Sequence, residues 1–166
     1  MKNLICLFLF LVCVSFAQAQ LSGFARAVQV ENTNSATPDF SAWTSGLTLG
    51  LGKAKIEAAY LRNLTLGRNG IYTSVSYLLR KKEIGKFTLG VSGLLDGALL
   101  PGGDDQNRII ASGMLIAPAI KYSKGYFSVA VVLPVGVGGL KIESNSWRFT
   151  LQARGIVNVS WRISKK

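Results

Sequence analysis

The chain has 166 residues, with 19 Lys and Arg against 8 Asp and Glu, no histidine, and a formal charge of +11 at pH 7. The absence of histidine excludes Ser-His-Asp catalysis, the commonest general base and the usual transition-metal ligand. The cationic excess predicts contact with phosphate or another polyanion.

In chain order, the first element is an export signal. Met1-Lys2-Asn3 carries a positive charge, Leu4 to Val14 is an unbroken apolar run, and Ala17-Gln18-Ala19 is a small-x-small cleavage pattern. The run is too short for a membrane-spanning helix, which needs about 20 apolar residues. Residues 1–19 are therefore read as a cleaved signal peptide and residues 20–166 as one domain. Both cysteines, Cys6 and Cys13, fall in the signal, so thiol catalysis, zinc sites and disulfides are not expected in the mature chain. Val12 is bulky where a lipid-acylation signal usually places a small residue before the cysteine.

Beyond residue 19 every apolar stretch is short and interrupted, so a membrane form has to be a closed sheet. From Trp147 to Ile163 the odd positions are apolar and the even positions mostly polar, a period of two that specifies a strand with one apolar face. The same alternation recurs along the chain and draws eight segments, at about 21–30, 42–51, 54–62, 71–80, 86–95, 108–121, 126–137 and 147–163. Connections one, three, five and seven are long (Glu31 to Ser41, Asn63 to Gly70, Asp96 to Asn107, Gly138 to Ser146). Those between them are short, around Gly52-Lys53, Lys81 to Gly85 and Tyr122 to Gly125. This alternation is what an up-and-down barrel gives when one rim is tight turns and the other loops. A different division of 134–146 and 147–163 would add a strand pair.

Export signal, cysteine-free mature chain, eight amphipathic strands and alternating connections together resemble the small eight-stranded bacterial outer-membrane β-barrel proteins. The resemblance is architectural, covers the whole mature chain, and implies an all-β, antiparallel, up-and-down transmembrane barrel. It also implies a place in the outer membrane, with a periplasmic or secreted form as the alternative. The ending Trp161-Arg162-Ile163-Ser164-Lys165-Lys166 departs from the terminal aromatic that many such proteins carry.

A soluble calyx shows the same period, so aromatic placement is used to choose the outer face. Trp43, Tyr60 and Trp147 fall near the long-loop ends of their strands, and Phe24, Tyr77, Phe87, Phe127 and Trp161 near the short-turn ends. Two such belts are the girdles of a membrane barrel. This phase leaves Arg26 beside Phe24 and Val28 on the lipid face, where a charge at mid-depth costs about 2–4 kcal/mol, so a bulge or shift is expected in the first strand. The sixth strand is apolar on both faces and its phase stays open.

Candidate chemistry is sparse. Asp96, Asp104 and Asp105 are the one acidic cluster, placed in a loop and weighed as a weak cation site without calcium-loop spacing. Gly136-Val137-Gly138-Gly139 lacks the Lys-Ser/Thr ending of a phosphate loop and reads as a strand end. Lys55, Glu57, Arg80, Arg154 and Arg162 are expected inside the barrel as a charge network, with Glu57 its one carboxylate. Arg62, Arg68, Arg108 and Arg148, with Lys141, lie towards the loop rim, where arginine forks suit lipopolysaccharide phosphates. Lys53, Lys81, Lys82, Lys86, Lys124, Lys165 and Lys166 gather at the turn rim, where the alternatives are an anionic periplasmic partner and a solvated edge. Asn63-Leu64-Thr65 and Asn158-Val159-Ser160 match a glycosylation pattern but are expected by chance.

The sequence thus predicts a non-enzymatic barrel of structural, envelope-integrity or surface-interaction role, with membrane lipids as partners and neither cofactor nor nucleic acid. A narrow anion-permeable channel and a soluble calyx for a small apolar ligand are the alternatives.

Overall fold

The computed structural model describes residues 20–32, 40–102, 109–142 and 147–163, all of it strand, turn or short connection. The two-residue period becomes β1 (Gln20–Asn32), β2 (Phe40–Leu51), β3 (Ala54–Asn63), β4 (Arg68–Ile84), β5 (Phe87–Leu100), β6 (Ile109–Lys124), β7 (Phe127–Val132), β8 (Val135–Ile142) and β9 (Arg148–Arg162). Neighbours in sequence pair antiparallel except β7 and β8, and β1 pairs with β9, so the sheet closes on itself. Closure leaves no unpaired edge, the condition for a sheet to cross a bilayer.

The nine ladder segments make an eight-strand barrel. β7 and β8 lie end to end between β6 and β9, and their registers continue one another, from Val132 opposite Ala119 to Val135 opposite Ile116. Pro134 has no N–H to give the ladder, which breaks the strand into two without shifting it. Its carbonyl still accepts from Arg154 N at 2.9 Å, and Leu133 N donates to the Pro118 carbonyl at 2.9 Å.

Three turns hold only two residues each: Gly52-Lys53, Gly85-Lys86 and Gly125-Tyr126. Each opens on a glycine at positive φ (61°, 59° and 59°) and closes on a residue without it. Glycine at the first central position is the requirement of the hairpin turn whose twist matches right-twisted strands. The opposite rim carries the other connections, and the one after β3 is the four residues Leu64 to Gly67. It is shorter than expected because β3 and β4 continue pairing up to Asn63 and Arg68.

The outer surface is apolar: Met114, Phe127, Phe149, Leu95, Ile116 and Val157 are among many large side chains more than one third exposed. Aromatics cluster at both ends of this band. Trp43 lies 5.6 Å from Tyr60, and Trp147 stacks on Phe149 at 5.9 Å, towards the loop rim. Phe87 lies 5.3 Å from Tyr122 towards the turn rim, near exposed Tyr126 and Phe127.

One strand phase differs from the sequence reading, and one that it left open is settled. In β1 the even residues point inward, so Phe24 is 1% exposed and does not belong to a belt, and Arg26 does not face lipid. No bulge is needed: β1 pairs regularly with β2 and β9 throughout, and Ala25, Ala27 and Gln29 face out instead. In β6 the open phase is settled with Leu115, Ala117 and Lys121 on the inner side and Met114, Ile116 and Ile120 outside.

Candidate functional site in the barrel lumen

The alternation that turns apolar side chains to the outside turns polar ones inward, where eight strands leave just enough width for side chains to meet. At mid-barrel two ion pairs fill that width. Arg26 of β1 donates to Glu57 of β3 at 2.6 Å, the two side chains being 8% and 15% exposed. Glu57 also accepts from Ser74 Oγ at 2.8 Å and from Thr48 Oγ1 at 3.3 Å. The Arg26 guanidinium lies 4.0 Å over the Phe24 ring and 5.6 Å from that of Tyr72, positions in which a ring face attracts a cation.

The second pair joins Arg154 of β9 to Asp96 of β5. Tyr72 donates its hydroxyl to Asp96 at 3.3 Å, and Arg154 reaches Gln152 Oε1 through Nη2 at 2.8 Å and Nε at 3.2 Å. Gly113, directly opposite Asp96 on β6, makes this crossing possible, because a Cβ there would overlap the Arg154 guanidinium and the Asp96 carboxylate. Two cations and two anions thus neutralise one another across the lumen. Buried charges persist where they are paired and hydrogen-bonded.

Ala42, Leu61 and Leu100, towards the loop rim, pack with Phe24, Ala59 and Tyr72 into an apolar plug beside the pairs. Below them the character reverses. Lys55, Lys121 and Arg162 line a polar cavity at the turn-side mouth, together with Glu57 and several hydroxyl groups.

No family model matches the sequence, and no curated protein matches it. Among solved structures, Neisserial surface protein A (NspA) superposes with a TM-score of 0.51 at 10% identity, over 87% of this chain and 97% of that one. The N-terminal β-barrel domain of Pseudomonas aeruginosa OprF gives 0.47 at 16% identity, over 87% of this chain and 100% of that one. The fold is that of the small eight-stranded outer-membrane β-barrels.

Within that barrel the candidate residues redistribute. Glu57 and Arg154 lie in two separate ion pairs inside the barrel, whereas Lys55 and Arg162 are exposed and line the basic mouth. Glu57 is not the lone carboxylate, since Asp96 sits in β5 with its side chain 3% exposed. Asp96 is therefore removed from the loop and from the acidic cluster; among the described residues no group of three metal-ligating side chains forms, and Asp104 and Asp105 lie outside them. Arg80 is not in the lumen. A bulge between Leu78 and Arg80 adds one residue to β4, which sets Arg80 opposite outward-facing Val91.

At the loop rim, Arg62 faces outward opposite Trp43 and donates to Asn69 Oδ1 at 2.7 Å. Arg68 and Arg148 lie on the inward phase of β4 and β9, and Arg108 is outside the described residues. Asn63, first of a glycosylation triplet, is 3% exposed and accepts from Leu66 N at 2.9 Å. Lys121 was not among the sequence candidates, and Arg26 was assigned to the lipid face. The signal for Arg26 was its neighbours Ala25 and Ala27, small apolar residues that lipid tolerates better than a guanidinium.

Proposed function

We propose that this chain is a non-enzymatic scaffold of the bacterial outer membrane whose lumen is sealed at mid-depth, acting in envelope integrity or surface interaction. The observation that carries this reading is the contrast between two faces of one sheet. An apolar band with aromatic rims faces out, and a neutralised, hydrogen-bonded set of Arg26, Glu57, Asp96 and Arg154 faces in. A soluble calyx needs the reverse distribution, with its large apolar side chains lining the inside. A conducting anion channel needs a water-filled path with surplus cations, whereas the mid-lumen arginines each hold a carboxylate.

Membrane fractionation joined to planar-bilayer recording tests this. The scaffold stays with outer membranes through a carbonate wash, runs at a different position unboiled than boiled, and gives no steady conductance. Open steps that shrink on replacing Arg154 or Arg162 would establish the channel, and release as a soluble monomer would establish the calyx.

A further inference from the structure

We propose that the turn-side mouth of the lumen is a binding site for a phosphoryl group. A cavity of about 160 Å³ opens there, and three cations from three strands, Lys55 of β3, Lys121 of β6 and Arg162 of β9, line it together. Lys121 is half-buried on the inner face, and Lys55 and Arg162 are near enough to act on its charge. Gathering like charges is unfavourable for the empty fold, so their convergence points to an anion that they share.

The remaining lining supports that reading. The one carboxylate among the lining residues, Glu57, is held by Arg26 at 2.6 Å. Ser128 and Ser160 share a single hydrogen bond at 2.8 Å in which either can donate. One hydroxyl hydrogen of that pair is therefore left to turn towards the cavity. A guanidinium fork, two ammonium groups and a hydroxyl are the donors that phosphate oxygens accept most strongly. The cavity is roomy enough for one tetrahedral oxyanion.

This inference goes beyond the scaffold reading and rests only on the closed barrel, so the two fail separately. The test uses the barrel folded in non-ionic detergent, with inorganic phosphate titrated at constant ionic strength. Binding is followed by isothermal titration calorimetry, which needs no reporter side chain in the cavity. The expected result is a saturable response that Lys121→Gln and Arg162→Gln each weaken by about tenfold or more. Lys53→Gln and Lys86→Gln, on the turn tips, leave it unchanged. Lys55→Gln, at an exposed position, repeats the test should Lys121→Gln fail to show the heat-shifted band of a folded barrel.

A short-chain phosphatidate titrated in parallel separates the sources. Affinity equal to that of inorganic phosphate assigns an aqueous anion, and a tenfold preference assigns a lipid headgroup. Absence of a saturable response, or equal weakening by the turn-tip variants, overturns the proposal.

Discussion

Asp96 and Arg154 are 58 residues apart in sequence and meet inside the barrel, each satisfying a charge that neither could bury alone. Removing one partner leaves the other uncompensated, a loss of about 3–5 kcal/mol. Asp96→Ala or Arg154→Ala should therefore lower unfolding stability in micelles by that order, as measured by denaturant titration, while Asp96→Leu with Arg154→Leu should recover much of it. Gly113→Val should mimic the single losses, because its side chain would occupy the space where the two charged groups meet. Sequence reading found Arg154 through its even position on a well-alternating strand. It lost Asp96 to a run of Asp and Gly that looks like a loop, since β5 carries on to Leu100 beyond the stretch where alternation is visible. Arg26 was lost for a different reason: Phe24 and Val28 share its face and outvoted it, although a large ring beneath a guanidinium is a favourable interior contact.

At the scale of elements, the first turn falls where expected at Gly52-Lys53, while the second and third are tighter than expected because β4 runs on to Ile84 and β6 to Lys124. Three Gly-X pairs sit where three hairpins reverse, and their backbone needs explain the residue type. Gly52→Val and Gly85→Val are expected to cost about 1–2 kcal/mol each, the penalty for holding an L side chain at positive φ, with folding yield into vesicles as a second readout. The bulge in β4 left no such mark. Leu78-Leu79-Arg80 reads as plain alternation, and one extra residue was enough to move Arg80 from the expected inner face to the outer one. Deleting Leu79 should restore an unbroken ladder to β5 while keeping Arg80 opposite Val91. Amide exchange across Leu78 and Arg80 should then slow.

At the scale of the whole molecule, the proposed membrane scaffold requires that the apolar outer face of the sheet meet lipid. Leu95, mid-strand and 56% exposed, is one of many positions where a charge would face hydrocarbon, so Leu95→Arg should destabilise the barrel in bilayers by about 2–4 kcal/mol. The same change should cost far less in a detergent that lets the guanidinium reach water, a contrast that a soluble barrel would not show. Fold class and strand number were readable because a closed sheet forces every strand to repeat the same period. Interior pairing was not readable, because it joins residues from strands whose relative register only the closed barrel defines.

The two rims also differ in how they can receive foreign sequence. A hairpin closed by two residues has no slack: a peptide spliced between Gly52 and Lys53 must unmake the reversal that pairs Leu51 with Ala54. The junction at Pro101-Gly102 lies past the end of the β5 ladder, so an insert there lengthens a connection and leaves the pairing intact. The barrel is in that sense a carrier with one permissive end, and a graft at that end would be held at the rim opposite to the basic mouth.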